Sequence, residues 1–131
     1  MTQVNINAMD AIVNELANGK TFSEALKAVY NKRNVQIPYK DEWLEVEIQE
    51  LNMSNRATNT ILRNRIRTLS DLVKRNETNP IKSLRGCGKD ICTEVFETIL
   101  NYCWNCMDEK EKVEFLMDTV ERNDIFLKET V

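Results

Sequence analysis

Apolar side chains recur every three or four residues along most of this chain, which is the spacing of one face of an α-helix. The first stripe consists of Ile6, Met9, Val13 and Leu16. Gly19 then stands where a glycine ends a helix, and Thr21 with Glu24 forms a capping box that starts a second one. The second stripe consists of Phe22, Ala25, Leu26, Val29 and Tyr30. The pattern predicts an N-terminal helical hairpin over residues 1–31.

The next segment is the least helical part of the sequence. Apolar and polar residues alternate at Val35, Ile37 and Tyr39, and Pro38 disfavours a helical conformation in the residue before it. A second alternation, at Leu44, Val46 and Ile48, fits either a short strand or one helical turn. We expect residues 32–47 to form a linker or an extended segment.

Helical spacing returns after this segment. Ser54 is a good N-cap for a helix that runs to about Arg65, and Thr68 with Asp71 repeats the capping-box pattern. The predicted organisation is all-α, with a compact helical domain over residues 48–104 and an acidic C-terminal helix and tail over residues 105–131.

The remaining helices are predicted from caps and stripes. Asn79 followed by Pro80 indicates a short helical turn. A long helix then carries the stripe Ile91, Val95, Ile99 and Leu100. Asp108 and Glu111 fit the cap of a final helix. Since no glycine or proline separates the last two helices, one continuous helix is the alternative.

The composition excludes several function classes. The 131 residues contain no histidine, which removes the commonest general base and zinc ligand, so we expect no enzyme. No apolar run approaches the ~20 residues that cross a bilayer, and the opening MTQVNINAMD lacks the basic and apolar regions of a secretion signal. The sequence predicts a cytoplasmic protein with reduced thiols and no membrane partner.

Charge is distributed unevenly along the sequence. Residues 51–89 carry nine basic and two acidic side chains, whereas residues 1–50 carry five and eight, and residues 90–131 carry four and eleven. The formal net charge of −3 hides this basic centre. Such an asymmetry points to an anionic partner, often a nucleic acid, although a solvated basic face is the alternative.

Two of the three glycines lie in the stretch LRGCGKDIC, between two predicted helices. Gly86 and Gly88 permit a sharp turn and leave the N–H groups at the start of the next helix uncovered, so that a phosphate can approach them. Lys89 adds a cation at the same place. These are features of a helix-hairpin-helix motif, and the alternative is a C-capping glycine between two packed helices.

The order of segments around this turn resembles a known family. The stretch IQELNMSNRATNTILRNRIRTLSDLVKR, followed by IKSLRGCGKDICTEVFETIL, is similar to the C-terminal domain of the bacterial RNA polymerase alpha subunit, over about residues 48–100. One extra residue stands between Asp71 and Gly88. The resemblance implies a compact helical domain that binds the minor groove of A·T-rich DNA, in a bacterial or phage protein that acts in transcription.

The resemblance also implies functional residues, position by position. The family's arginine and asparagine on the first helix match Arg56 and Asn59. Its hairpin glycine and the lysine after it match Gly88 and Lys89, and an acidic residue that orients the site matches Glu94. The predicted DNA-binding set is Arg56, Asn59, Thr60, Arg63, Gly86, Gly88, Lys89 and Glu94. An arginine suits a narrow minor groove of negative potential, and an amide can bond to acceptors on its floor.

The sequence departs from the family after Lys89. Asp90 and Ile91 replace the usual second lysine and serine, so a carboxylate stands where a phosphate would lie. One alternative is therefore a protein–protein interaction module on the same fold that has lost DNA binding. A helix-hairpin-helix DNA-processing enzyme is a third class, but the sequence offers it no acidic cluster or nucleophile. Expected partners are DNA and RNA polymerase or a sigma factor; self-association is allowed, and no cofactor is expected.

The four cysteines are the other candidate chemistry. Cys103 and Cys106 form C-x-x-C, and Cys87 and Cys92 bring the number of potential zinc ligands to four. Their spacing fits no common zinc pattern, and Cys87 and Cys92 match core positions of the resembled family. We expect buried or incidental thiols and no metal, with a zinc site or a redox pair as alternatives.

Overall fold

The structure, a computed structural model, describes residues 6–30, 37–78 and 84–130. Its helices are α1 (Ile6–Ala17), α2 (Phe22–Tyr30), α3 (Asp41–Leu44), α4 (Asn55–Arg63), α5 (Leu69–Thr78), α6 (Lys89–Asn105) and α7 (Glu109–Thr130), with a 3₁₀ turn at Ile48–Glu50. No strand occurs in these ranges, so the predicted all-α class is confirmed. None of the helices described is long and apolar enough to cross a membrane. The turn predicted from Asn79 and Pro80 lies outside the described residues.

The protein divides into two compact units. The first unit comprises residues 1–38 and 103–131, and the second comprises residues 39–102. Helices α1, α2 and α7 therefore belong to the first unit, and helices α3, α4 and α5 belong to the second. Helix α6 begins in the second unit, and its last three residues are part of the first.

Aromatic rings form the centre of the first unit. Phe22 of α2 stacks on Trp104 with 4.3 Å between the ring centroids, and Phe115 of α7 lies 5.7 Å from the Phe22 ring. Such pairs contribute about 0.5–1.5 kcal/mol beyond the area that they bury. Helices α1 and α2 pack against each other, and Ile12 and Leu26 are fully buried.

Residues 39–50 form part of the core of the second unit. Trp43 on α3 is only 3% exposed. The Val46 carbonyl accepts a bond from the Leu69 N–H at 2.9 Å, and the Ile48 N–H donates to the Arg67 carbonyl at 2.8 Å. These bonds satisfy backbone groups that burial removes from water. The stretch expected to be a linker, a strand or a single helical turn thus holds a four-residue helix and one isolated β-bridge, between Glu47 and Thr68.

The predicted caps are present. The Ala57 N–H donates to Ser54 Oγ at 3.2 Å, so Ser54 is the N-cap of α4. Reciprocal capping boxes join Thr21 with Glu24, Thr68 with Asp71, and Asp108 with Glu111. The last of these starts α7 separately from α6, which decides the open question at the C-terminus: the two helices are not continuous. A capping box supplies the partners that a new helix needs without a glycine or proline.

The cysteines differ in burial. Cys87 and Cys103 are buried, Cys92 is half-buried and Cys106 is exposed, and none of the four forms a disulfide. Burial raises the pKa of Cys103 to about 12 and also raises the pKa of Cys87. Both therefore remain protonated at neutral pH and are weak nucleophiles. Among the described residues, no group of three or more His, Cys, Asp or Glu side chains is placed to hold a metal ion.

Candidate nucleic-acid interface

Three of the predicted contact residues share the exposed face of α4. Arg56, Asn59 and Arg63 are all exposed. At about 100° per residue, the three lie within an arc of about 60° around the helix axis. Two cations and an amide therefore point away from the core on one side of α4. The three side chains share this face because residues three, four and seven apart are neighbours on a helix.

Thr60 is placed differently from its three neighbours. It is 5% exposed, and its hydroxyl donates to the Arg56 carbonyl at 2.8 Å. Its methyl carbon lies 3.9 Å from the position that a Cβ on Gly86 would occupy. Thr60 therefore packs α4 against the glycine turn, and its hydroxyl is used within the helix.

The glycine turn is a tight reversal that ends at α6. The Cys87 N–H donates to the Leu84 carbonyl at 3.0 Å, and Gly86 has a φ of 80°, as position three of a type II turn requires. The Gly88 carbonyl then accepts from the Cys92 N–H at 3.0 Å, in the first turn of α6. A side chain at Gly86 would be strained because φ is positive, whatever the space available.

Gly88 differs from Gly86 in its backbone conformation and in the space around it. Its φ is not in the left-handed region, and a Cβ built on it would meet no atom within 4 Å. The backbone beside the start of α6 is therefore open on the Gly88 side. The first N–H groups of a helix have no partner within the helix, and a phosphate fits them. Lys89 and Asp90 are exposed next to this opening, whereas Ile91 is buried and belongs to the core.

Two hydrogen-bonded links tie α4 to the turn and to α6. Near the N-terminus of α4, the N–H and the hydroxyl of Ser54 donate to the two carboxylate oxygens of Glu94, at 2.6 and 2.8 Å. At the other end, the Asn64 amide donates to the Arg85 carbonyl at 3.1 Å and accepts from the Arg85 N–H at 3.3 Å. The links fix the exposed face of α4 relative to the open backbone at Gly88.

Asn64 is a site residue that the sequence analysis missed. The one available signal was an asparagine at the C-cap of a helix, where its side chain can bond to backbone. Its partner is 21 residues away in the sequence, which periodicity cannot reveal. Glu94, in contrast, belongs to the predicted set, and the structure places it as a support for the N-cap of α4.

An arginine in a left-handed conformation closes α4. Arg65 has a φ of 63°, its N–H donates to the Leu62 carbonyl at 3.0 Å, and the Ile66 N–H donates to the Ile61 carbonyl at 3.4 Å. This is a Schellman motif with arginine at the position where glycine is usual. Further cations of the second unit are also exposed, namely Arg67, Lys74, Arg85 and Lys89.

The comparison with known families identifies the second unit. The family described as the C-terminal domain of the alpha chain of bacterial RNA polymerase matches residues 36–101, half of this protein. This range almost coincides with the compact unit at residues 39–102 and extends the resemblance twelve residues toward the N-terminus, over α3. No curated protein and no solved structure matches the sequence.

Proposed function

Because the protein belongs to the family of the C-terminal domain of the bacterial RNA polymerase alpha chain, we propose that it is a transcription-associated protein that binds DNA and has no enzymatic activity. The observation that supports this most strongly is the joint geometry of α4 and the glycine turn. An exposed Arg56–Asn59–Arg63 face and an open backbone at Gly88 are held together by hydrogen bonds within one compact unit.

The proposed mode of binding is insertion of the α4 face into the minor groove of A·T-rich DNA. The narrow groove of such DNA has an enhanced negative potential that attracts the Arg56 guanidinium. The Asn59 amide can donate to the acceptors on the groove floor. Arg63, Lys89 and the N–H groups at the start of α6 then bond to phosphates along the groove edges.

The other predicted site residues support this surface from behind. Thr60 and Gly86 let α4 approach the turn, and Glu94 holds the N-cap of α4. Asp90 opposes binding, because its exposed carboxylate lies in the first turn of α6, where a phosphate would approach. We therefore expect Asp90→Asn to tighten DNA binding by roughly two- to fivefold at low salt, since it removes one repulsive charge.

A salt titration of binding to A·T-rich and G·C-rich duplexes tests the proposal. Fluorescence anisotropy with the 131-residue protein should show preference for the A·T-rich duplex and an affinity that falls with salt. Arg56→Ala and Asn59→Ala should each weaken binding by about tenfold or more. Arg56→Ala should also reduce the slope of log affinity against log salt by about one.

Lys74→Ala is the matched control, because Lys74 is an exposed cation of the same unit on α5. It should reduce affinity much less than Arg56→Ala does. If Arg56→Ala and Lys74→Ala weaken binding equally, or Arg56→Ala leaves it unchanged, the minor-groove placement is wrong.

A second candidate function is interaction with RNA polymerase or a sigma factor without DNA. The Asp90 carboxylate beside the open turn favours it, as do the exposed acidic side chains of residues 41–50. Binding of purified polymerase, together with no anisotropy change on any duplex at low salt, would favour this function over DNA binding.

A further inference from the structure

Exposed large apolar side chains are unevenly distributed. Within the described residues there are three, Val13, Val113 and Met117, with exposed fractions of 51%, 56% and 42%. All three lie in the first unit, outside the residues that match the family. Val113 and Met117 are both on α7, four residues apart, so they are neighbours on one helix face.

A buried face lies on one side of this pair on α7, and charged side chains lie on the other. At about 100° per residue, Val113 and Met117 are about 40° apart and lie beside the buried face that carries Leu116 and Val120. On the outer side of the pair lie Lys110 and Glu114, which are exposed, and Glu121, which is half-buried. Lys110 and Glu121 are only about 20° apart around the helix and about 16 Å apart along it, and Glu114 lies about 20° farther from the stripe. One apolar stripe is thus bordered by a cation near one end and an anion near the other, with a second anion farther out near its middle.

We propose that this stripe is the contact surface for a second copy of the protein, with the two α7 helices antiparallel. In a two-fold arrangement the same surface serves both copies. When Val113 lies opposite Met117 of the second copy, the symmetry axis crosses α7 at residue 115. Lys110 then lies about 7.5 Å before the axis and Glu121 about 9 Å after it, so each Lys110 faces the Glu121 of the other copy.

The charges also select the direction of pairing. In an antiparallel pair, equivalent flanks of the two helices meet, which produces two symmetric Lys110–Glu121 ion pairs. A parallel pair would place equivalent flanks on opposite sides of the interface, with Lys110 and Glu121 at different levels, so these ion pairs would not form. The apolar contact is small compared with stable interfaces, so the dimer forms at high protein concentration rather than at nanomolar levels.

Sedimentation velocity from about 10 µM to about 1 mM, in roughly 0.15 M salt, tests the proposal with the 131-residue protein. This range covers weak complexes, and the salt screens repulsion between the net negative charges of the two copies. The weight-average mass of the unaltered protein should rise toward that of a dimer. Met117→Lys should keep it monomeric throughout, with an unchanged circular dichroism spectrum.

Charge reversal makes the test specific. Lys110→Glu and Glu121→Lys should each raise the dissociation constant roughly five- to thirtyfold, because each places like charges together at two symmetric sites. The double variant Lys110→Glu/Glu121→Lys should restore the original value. Lys27→Glu, an exposed charge reversal on α2, is the control and should have little effect.

Two outcomes would overturn the proposal. If the unaltered protein is monomeric up to about 1 mM, the stripe does not bind a second copy. If it dimerises but neither Met117→Lys nor the single charge reversals weaken the dimer, another surface is responsible. Neither outcome bears on DNA binding, because every residue changed here lies outside the family match.

Discussion

The two units of this protein bury and expose different kinds of side chain. In the second unit, every large apolar side chain described is buried or half-buried, and the residues around the glycine turn include exposed cations. The first unit has an aromatic centre but leaves three large apolar side chains in water. The unit with the family match therefore presents a polar, basic surface that suits a polyanion, while the other presents a surface that suits protein contact.

Net charge alone would not separate the two units. Residues 39–102 carry ten basic and ten acidic side chains, so their net charge is zero, and the remaining residues carry eight and eleven. Within the second unit, however, five of the ten acidic residues lie in 41–50 and nine of the ten basic ones lie in 56–89. The placement of charge along the sequence, rather than its sum, is what points to an anionic partner for this unit.

The largest expected effect distinguishes the two cores. Each unit contains one tryptophan, Trp104 in the first and Trp43 in the second, so single-tryptophan variants report on each unit. Phe22→Ala removes a ring stacked on Trp104 and should destabilise the first unit by about 3–5 kcal/mol. In urea titrations, the Trp104 transition should shift much more than that of Trp43.

Leu72→Ala is the reciprocal change, because Leu72 is 1% exposed in the second unit. It should shift the Trp43 transition by about 2–5 kcal/mol and reduce DNA binding as that unit unfolds. Equal shifts of both tryptophans in both variants would show that the units unfold as one.

A smaller effect distinguishes a residue that supports the proposed DNA-binding surface of the second unit from a residue that contacts DNA. Asn64→Ala removes both bonds to the Arg85 backbone and should cost about 1–3 kcal/mol of stability. It should also weaken DNA binding without changing the salt slope, because Asn64 carries no charge and lies behind the surface. Asn59→Ala should weaken binding at unchanged stability, since Asn59 is exposed. If Asn64→Ala leaves the Trp43 unfolding midpoint in place, the link does not stabilise the turn.

A substitution at Arg65 should raise stability, whereas the substitutions above lower it. A non-glycine residue in the left-handed region costs about 1–2 kcal/mol of stability. Glycine removes this strain, but its greater conformational freedom in the unfolded state offsets part of the gain. Arg65→Gly should therefore raise the stability of the second unit by roughly 0.5–1 kcal/mol. Arg67→Gly is the matched control and should not stabilise, since positive φ among the described non-glycine residues occurs at Arg65 alone.

The smallest effects compare one capping box in each unit. Bonds from the Arg67 N–H lower the pKa of Asp71, and bonds from the Thr21 N–H lower the pKa of Glu24. Because the folded-state pKa is below the unfolded one, each carboxylate stabilises its unit above about pH 4, and this contribution is lost as the pH falls through the folded-state value.

Asp71→Asn should therefore lower the thermal midpoint reported by Trp43 at pH 7, and Glu24→Gln should lower the midpoint reported by Trp104. As the pH is lowered below about 4, the differences from the unaltered protein should shrink, because protonation progressively weakens both caps. Differences that stay undiminished until the protein unfolds in acid would contradict the assignment to charge.

Much of the fold could be predicted because it depends on residues close together in the sequence. The caps at Thr21, Ser54, Thr68 and Asp108 each use a bond to a residue three positions away, and each is present. The exposed α4 face follows from helical periodicity in the same way. For residues 39–47 the sequence left a linker, a strand or one helical turn open, because their partners lie near residue 68 and no local pattern shows that pairing.

The order of residues alone was thus sufficient for the helices other than α3, for their caps, and for the glycine turn, the basic centre and the family. Three-dimensional packing was needed to show that Thr60 is buried rather than exposed, that Asn64 holds the turn, and that Glu94 supports the N-cap of α4. The physical reason is separation in the sequence. The Asn64–Arg85 and Ser54–Glu94 links join residues 21 and 40 positions apart, and such pairs form only when packing brings their helices together.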